Sequence, residues 1–202
     1  MSRHRDRRAT RIMAGVVLIF WALTLSVFAF TYLTGNAALQ MRVAGLGSVA
    51  LYAICVWHCL VVRGARAAIL FFGLAAALAF GAEYLGDNYG LIFGAYHYTG
   101  ALGPRVGGVP VLIVFVWGTV VYAAFAMVDW LARRNARPPH GWGWRVAYAL
   151  LVGFAAGLIT AAWDLMADPL AVSGVWEQVL GSQAWWWWAD GGPYLPDLKS
   201  WK

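Results

Sequence analysis

With 202 residues, 62% of them hydrophobic and only 12% charged, the chain falls far below the roughly 25% charged residues of a soluble domain, which excludes a water-soluble globular protein. Its formal net charge of +6 comes mostly from arginines in short polar joints between apolar runs. That placement sets membrane topology and argues against a nucleic-acid partner.

Arg3, Arg5, Arg7, Arg8 and Arg11 precede a first apolar run, residues 12–33. The run is longer than a signal-peptide core and lacks a convincing cleavage site, so it reads as a retained span. Further runs follow at 43–62, 67–85, 109–131 and 145–163, each near the ~20 residues that cross ~30 Å of hydrocarbon. The expected fold is all-α, a polytopic membrane bundle of about five helices in one integral membrane domain. Its parts are a basic tail (1–11), the five-span bundle (12–163) and a Trp-rich interfacial tail (164–202). Gly73, Ala77 and Gly81 in the third run, and Gly153 and Gly157 in the fifth, are small residues of the kind that let helices approach closely in lipid.

Cys55 and Cys59 stand i, i+4 in the second run, form no CxxC, and read as packing residues. His58 beside them reads as a packed polar residue.

Orientation follows from the joints. Arginines crowd the N-terminal tail, the joint after the second run (Arg63, Arg66) and the joint after the fourth (Arg133, Arg134, Arg137, Arg145). The opposite joints hold only Arg42 and Arg105, with Lys199 and Lys202 in the tail. This asymmetry predicts a multi-pass cell-membrane protein with a cytoplasmic N-terminus.

The acidic residues are the chemical signal. Glu83 with Asp87, and Asp164 with Asp168, are i, i+4 pairs at the ends of apolar runs, each pair sharing a helix face. Carboxylates in or near hydrocarbon are costly unless covered by protein or water, which marks them as candidates for function. The predicted topology puts both pairs at one membrane face. Asp129, four residues before Arg133, fits a helix-end ion pair.

Two polar-aromatic segments share that face. Residues 87–110 carry Gly86, Gly90 and Gly94 nearby, then Tyr96, His97 and Tyr98, and return through Gly103-Pro104 and Gly107-Gly108. A re-entrant or interfacial segment forming a lid or cavity wall is one reading; an interfacial loop with its tyrosines in the aromatic belt is the other. Residues 168–202 carry Trp176 and Trp185–Trp188. Some of these anchor at the headgroups, and some can line a pocket in which π faces stabilise a cation.

Other chemistries are excluded. The histidines at 4, 58, 97 and 140 are too few and scattered for a membrane di-iron site. GxGxxG before a helix, a P-loop and GxSxG are all absent.

At Glu83, Gly86, Gly90, Phe93-Gly94, Tyr96, Tyr98, Gly103-Pro104, Gly108-Val109-Pro110, Trp117 and Tyr122, the sequence resembles the carotenoid biosynthesis protein family that includes bisanhydrobacterioruberin hydratase and γ-carotene 1′-hydroxylase. A second signature fits at Trp163-Asp164-Leu165, Asp168-Pro169, the tryptophan cluster and Gly192-x-Tyr194-x-Pro196. Family members continue past that point with further apolar helix, so the chain reads as a short or C-terminally truncated member.

The resemblance implies addition of water across the terminal double bond of an acyclic carotenoid, without metal or cofactor. Glu83, Asp87, Asp164 and Asp168 are then the candidate catalytic carboxyls. Phe93, Tyr96, His97, Tyr98, Trp117, Trp163 and Tyr194 are the candidate substrate-binding residues. The expected partners are the carotenoid, membrane lipid and other carotenoid-pathway enzymes. Two alternatives stay open: a prenyltransferase whose acidic pairs hold Mg²⁺ on a diphosphate, and a carotenoid-binding protein whose acids are structural.

Overall fold

The computed structural model describes residues 3–34, 37–92, 94–135, 141–172 and 184–188. Backbone amides in hydrocarbon must be satisfied within the segment, so apolar runs of this length fold as helices. These are α1 (Arg3–Thr34), α2 (Ala37–Arg63), α3 (Ala65–Tyr89), α4 (Val111–Asn135) and α5 (Trp142–Ala171). Arg42–Arg63, Ala65–Tyr89, Val111–Arg134 and Trp142–Asp168 are each long and apolar enough to cross a membrane. The chain is an all-α membrane bundle, and α1 is one continuous helix over the first apolar run.

α4 packs against α2, α3 and α5, and α1 lies on α2. Where α2, α3 and α4 meet, Cys55, Cys59, Phe72 and Tyr122 form a buried cluster, so both cysteines are packing residues. His58 joins it through a 2.7 Å hydrogen bond between Nδ1 and the Tyr122 hydroxyl. The small residues expected at helix crossings are placed differently. At Gly73, Gly81, Gly153 and Gly157 a Cβ would meet nothing within 4 Å, so these positions face open space. The close contacts are aromatic instead, such as Tyr52 against Phe72 at 5.2 Å between ring centroids.

The aromatic joint between α3 and α4 is short β structure. Strand β1 (Tyr96–Tyr98) is followed by the hairpin of β2 (Arg105–Val106) and β3 (Val109–Pro110). β1 pairs antiparallel with β4 (Trp186–Trp188), in the register Tyr96↔Trp188, His97↔Trp187 and Tyr98↔Trp186. The Thr99 amide donates to the Trp185 carbonyl at 2.9 Å, and the Trp185 amide to the Ala171 carbonyl at 3.0 Å. The two polar-aromatic segments are thereby stitched to each other and to the end of α5. That helix runs two turns past residue 163, so Asp164 and Asp168 are both helical.

The opposite end of the bundle is closed by charge. Asp129 accepts from Arg63 at 2.6 Å, from Arg133 at 2.8 Å and from the Tyr148 hydroxyl at 3.1 Å. The expected pair with Arg133 is present, and Arg63 and Tyr148 extend it to α2 and α5. Asp129→Asn should destabilise the bundle by about 1–3 kcal/mol, below the range for fully buried pairs because the Arg133 side chain is 60% exposed. Thermal unfolding in detergent or nanodiscs measures this, and an unchanged midpoint would deny the cluster a stabilising role.

Candidate functional site

At the end away from Asp129, the N-terminal turns of α2 and α4 and the C-terminal turns of α3 and α5 surround a cavity of about 740 Å³. β1 and the Trp185–Trp186 stretch cover it, and Leu46, Leu112, Ile113, Val116 and Met166 supply apolar wall. Into this space project three carboxyl residues, Glu83 from α3 and Asp164 and Asp168 from α5. The i, i+4 spacing sets both aspartates on one face of α5, and Ala167 and Ala171 continue that face without filling the cavity.

Glu83 is 5% exposed and held from two sides. Its Oε1 accepts the Trp117 indole N–H at 2.6 Å. Its Oε2 accepts the Tyr98 hydroxyl at 2.6 Å and the Tyr96 hydroxyl. An indole nitrogen can only donate, so Oε1 is an acceptor. The tyrosines reach Glu83 because β1 alternates: Tyr96 and Tyr98 are buried on one face while His97 is exposed on the other. Gly86, one turn beyond Glu83, makes room, since a Cβ there would stand 2.6 Å from the Tyr96 hydroxyl. α3 stops at Gly90, whose φ of 65° lets its own amide and that of Leu91 return to the Gly86 and Leu85 carbonyls and turn the chain towards β1.

The aspartates are treated differently. Among the described residues, neither the Asp164 nor the Asp168 carboxyl takes part in a side-chain hydrogen bond or ion pair, although Asp168 is only 8% exposed. The site therefore combines one carboxyl fixed by three donors with two that no donor holds among the described residues. Trp117 and Trp163, at 6.3 Å between ring centroids, form an edge-to-face aromatic wall beside them.

Two expected members do not line the cavity. Asp87 lies one turn past Glu83, and its carboxylate turns towards the joint, accepting the Tyr98 amide at 3.3 Å and lying 3.5 Å from His97 Nδ1. It braces β1 from behind. The strand alternation that brings both tyrosines in sends His97 out, where it meets Trp187 at 5.1 Å. Phe93 and Tyr194 lie outside the described residues. Conversely, Arg42 and Ser48 of α2 line the cavity but carried no sequence signal beyond their place at the same predicted face. Trp185 and Trp186 also line it, which the pairing β1–β4 decides.

The cavity, with carboxyls at one end and aliphatic and aromatic walls, lies within a membrane helical bundle and has the make-up of a small-molecule pocket, mostly apolar with a few convergent polar groups. The chain belongs to the carotenoid biosynthesis protein family, whose model matches residues 37–196. Membership gives it a role in carotenoid biosynthesis. No curated protein and no solved structure matches it.

Burial, and then the charge of Glu83, hold the Tyr96 and Tyr98 phenols well above the ordinary tyrosine value. A raised folded-state value means their contribution to stability is complete below pH about 10 and is lost only as the pH climbs beyond it. Tyrosinate absorbance should accordingly appear for these two only on unfolding. Alkaline titration of Tyr96→Phe and Tyr98→Phe should match the parent until the fold is lost; a missing transition near pH 10 in either variant would show that its phenol is exposed.

Proposed function

We propose that the chain adds water to the terminal C1=C2 double bond of an acyclic carotenoid end, as a cofactor-independent hydratase. An alkene is a very weak base, so its proton must come from a neutral carboxylic acid shielded from water. Asp168, with Asp164 beside it, is the group in the cavity suited to that task. The proton goes to C2 and leaves a tertiary cation at C1. The faces of Trp117 and Trp163 and the carboxylate of Glu83 stabilise that cation.

Water then attacks C1 and must lose a proton. A carboxylate has about four acceptor sites, and the three donors on Glu83 leave one free for it. A proton returned to the aspartate restores the site, and the sum is one water added and a tertiary alcohol formed. The tyrosines and Trp117 keep Glu83 in place throughout. Asp87 positions Tyr98 and takes no proton.

The observation that carries this reading is the convergence of Glu83, Asp164 and Asp168 on one largely apolar cavity. The Mg²⁺-dependent prenyltransferase alternative is disfavoured because Glu83 and Asp87 point to different places, and a diphosphate site needs such a pair to act on one ion. The arginine asymmetry supports a cytoplasmic N-terminus in the cell membrane, which puts the cavity on the extracytoplasmic side.

Expression in cells that make an acyclic carotene, followed by mass analysis of pigments, should show a gain of one water. Asp168→Asn and Glu83→Gln should each lower that product by about 10²–10⁴-fold with the protein still inserted. Asp87→Asn should leave turnover largely intact. Full turnover in both of the first two variants would remove the carboxyls from the reaction.

A further inference from the structure

Between α4 and α5 lies a second hollow, of about 350 Å³. Trp117 and Val121 form its α4 wall, and Gly153, Gly157, Ala161 and Asp164 lie along α5. Those α5 positions fall at i, i+4, i+8 and i+11, so they make one stripe that ends on a reactive-site carboxyl. Trp117 and Asp164 line the main cavity as well. The hollow therefore adjoins the site, with these two side chains bordering both. Gly153, Gly157 and Ala161 are exposed, and on a transmembrane helix the surface they open onto is bathed in acyl chains.

We propose that this groove is the track along which the polyene chain of the substrate lies, its terminal double bond at the carboxyls and its body passing sideways between α4 and α5 into the bilayer. The inference rests on the hydratase reading for the identity of the occupant and adds how that occupant is seated. Only the end of a carotenoid reacts, and the remainder is a rigid apolar rod that has to leave the cavity somewhere. From Asp164 to Gly153 the stripe runs about 16 Å along α5 at ~1.5 Å per residue, roughly half the hydrocarbon thickness. The glycines and Ala161 keep the floor flat.

The spacing Gly153-x-x-x-Gly157 also suits helix dimerisation. A second helix laid along the whole stripe would cover the Asp164 end with apolar surface and leave a carboxyl to be buried against it, which is costly. A polyene whose reactive end sits there uses that carboxyl.

Gly153→Leu and Gly157→Leu test the track, because a Cβ at either position meets no atom within 4 Å and the rest of the leucine extends into the groove. Two substrates are compared in membranes, an acyclic carotene and a short acyclic terpene with the same end group, together with pigment co-purified per protein. Both variants should lose carotene turnover and bound pigment by about tenfold or more, while turnover of the short substrate stays near the parent's. The milder Gly153→Ala and Gly157→Ala, giving smaller losses of the same kind, serve if leucine prevents insertion. Unchanged carotene turnover and pigment, or equal loss for both substrates, overturns the track, as does loss of cross-linked dimer accompanied by equal loss for both substrates. If the parent chain binds carotene without hydrating it, the hydratase reading falls; pigment loss confined to the groove-filling variants would then still support the track.

Discussion

Everything at the cavity end of this molecule depends on keeping one glutamate satisfied at the edge of hydrocarbon. Glu83 is nearly inaccessible, and a carboxyl there without partners would cost several kcal/mol. Three donors from two other elements meet it: Tyr96 and Tyr98 from β1, and Trp117 from α4. Removing any one leaves an acceptor exposed to an apolar wall. The same bonds therefore fix where β1 sits and how α3 and α4 are registered.

From that anchor the roof of the cavity follows. β1 cannot stand alone as three residues, since a lone strand leaves its amides and carbonyls unpaired. It finds its partner in β4, nearly 90 residues later in the chain. Thr99 reinforces the seam by donating to the Ala184 carbonyl at 2.6 Å, and Asp87 and Asn88 brace the near side, Asn88 by donating to the Gly107 carbonyl at 2.9 Å. The result is an ordered lid made from backbone pairing at a depth where unpaired loop would be unstable.

The proposed hydration draws on the contrast between this anchored glutamate and two aspartates whose carboxyls have no side-chain hydrogen bond among the described residues. A polar network that is complete gives rigidity, whereas groups held back from it stay available to exchange protons. The bundle divides its ionic groups accordingly. At one end Asp129 is consumed by Arg63, Arg133 and Tyr148 and serves the packing of α2, α4 and α5. At the other the acids face a hollow with few cations, Arg42 at its margin.

The sequence alone determined the helices, because hydrocarbon imposes a length and an internally satisfied backbone that a run of apolar residues reveals directly. It also singled out Glu83, Asp164 and Asp168, which line one cavity, since a carboxyl at the end of a lipid-facing run is costly without cover. It did not tell Asp87 from Glu83, which share a helix face one turn apart and differ only in what packs over them. Nor did it tell His97 from its neighbouring tyrosines: the sorting comes from the two-residue period of a strand that forms only by pairing with tryptophans far along the chain. The glycines of α5 looked like helix-packing residues and prove to border a groove. Local composition fixes which segments are helical and which groups are costly to bury; long-range contact alone decides which of those groups meet, and so which can share a proton.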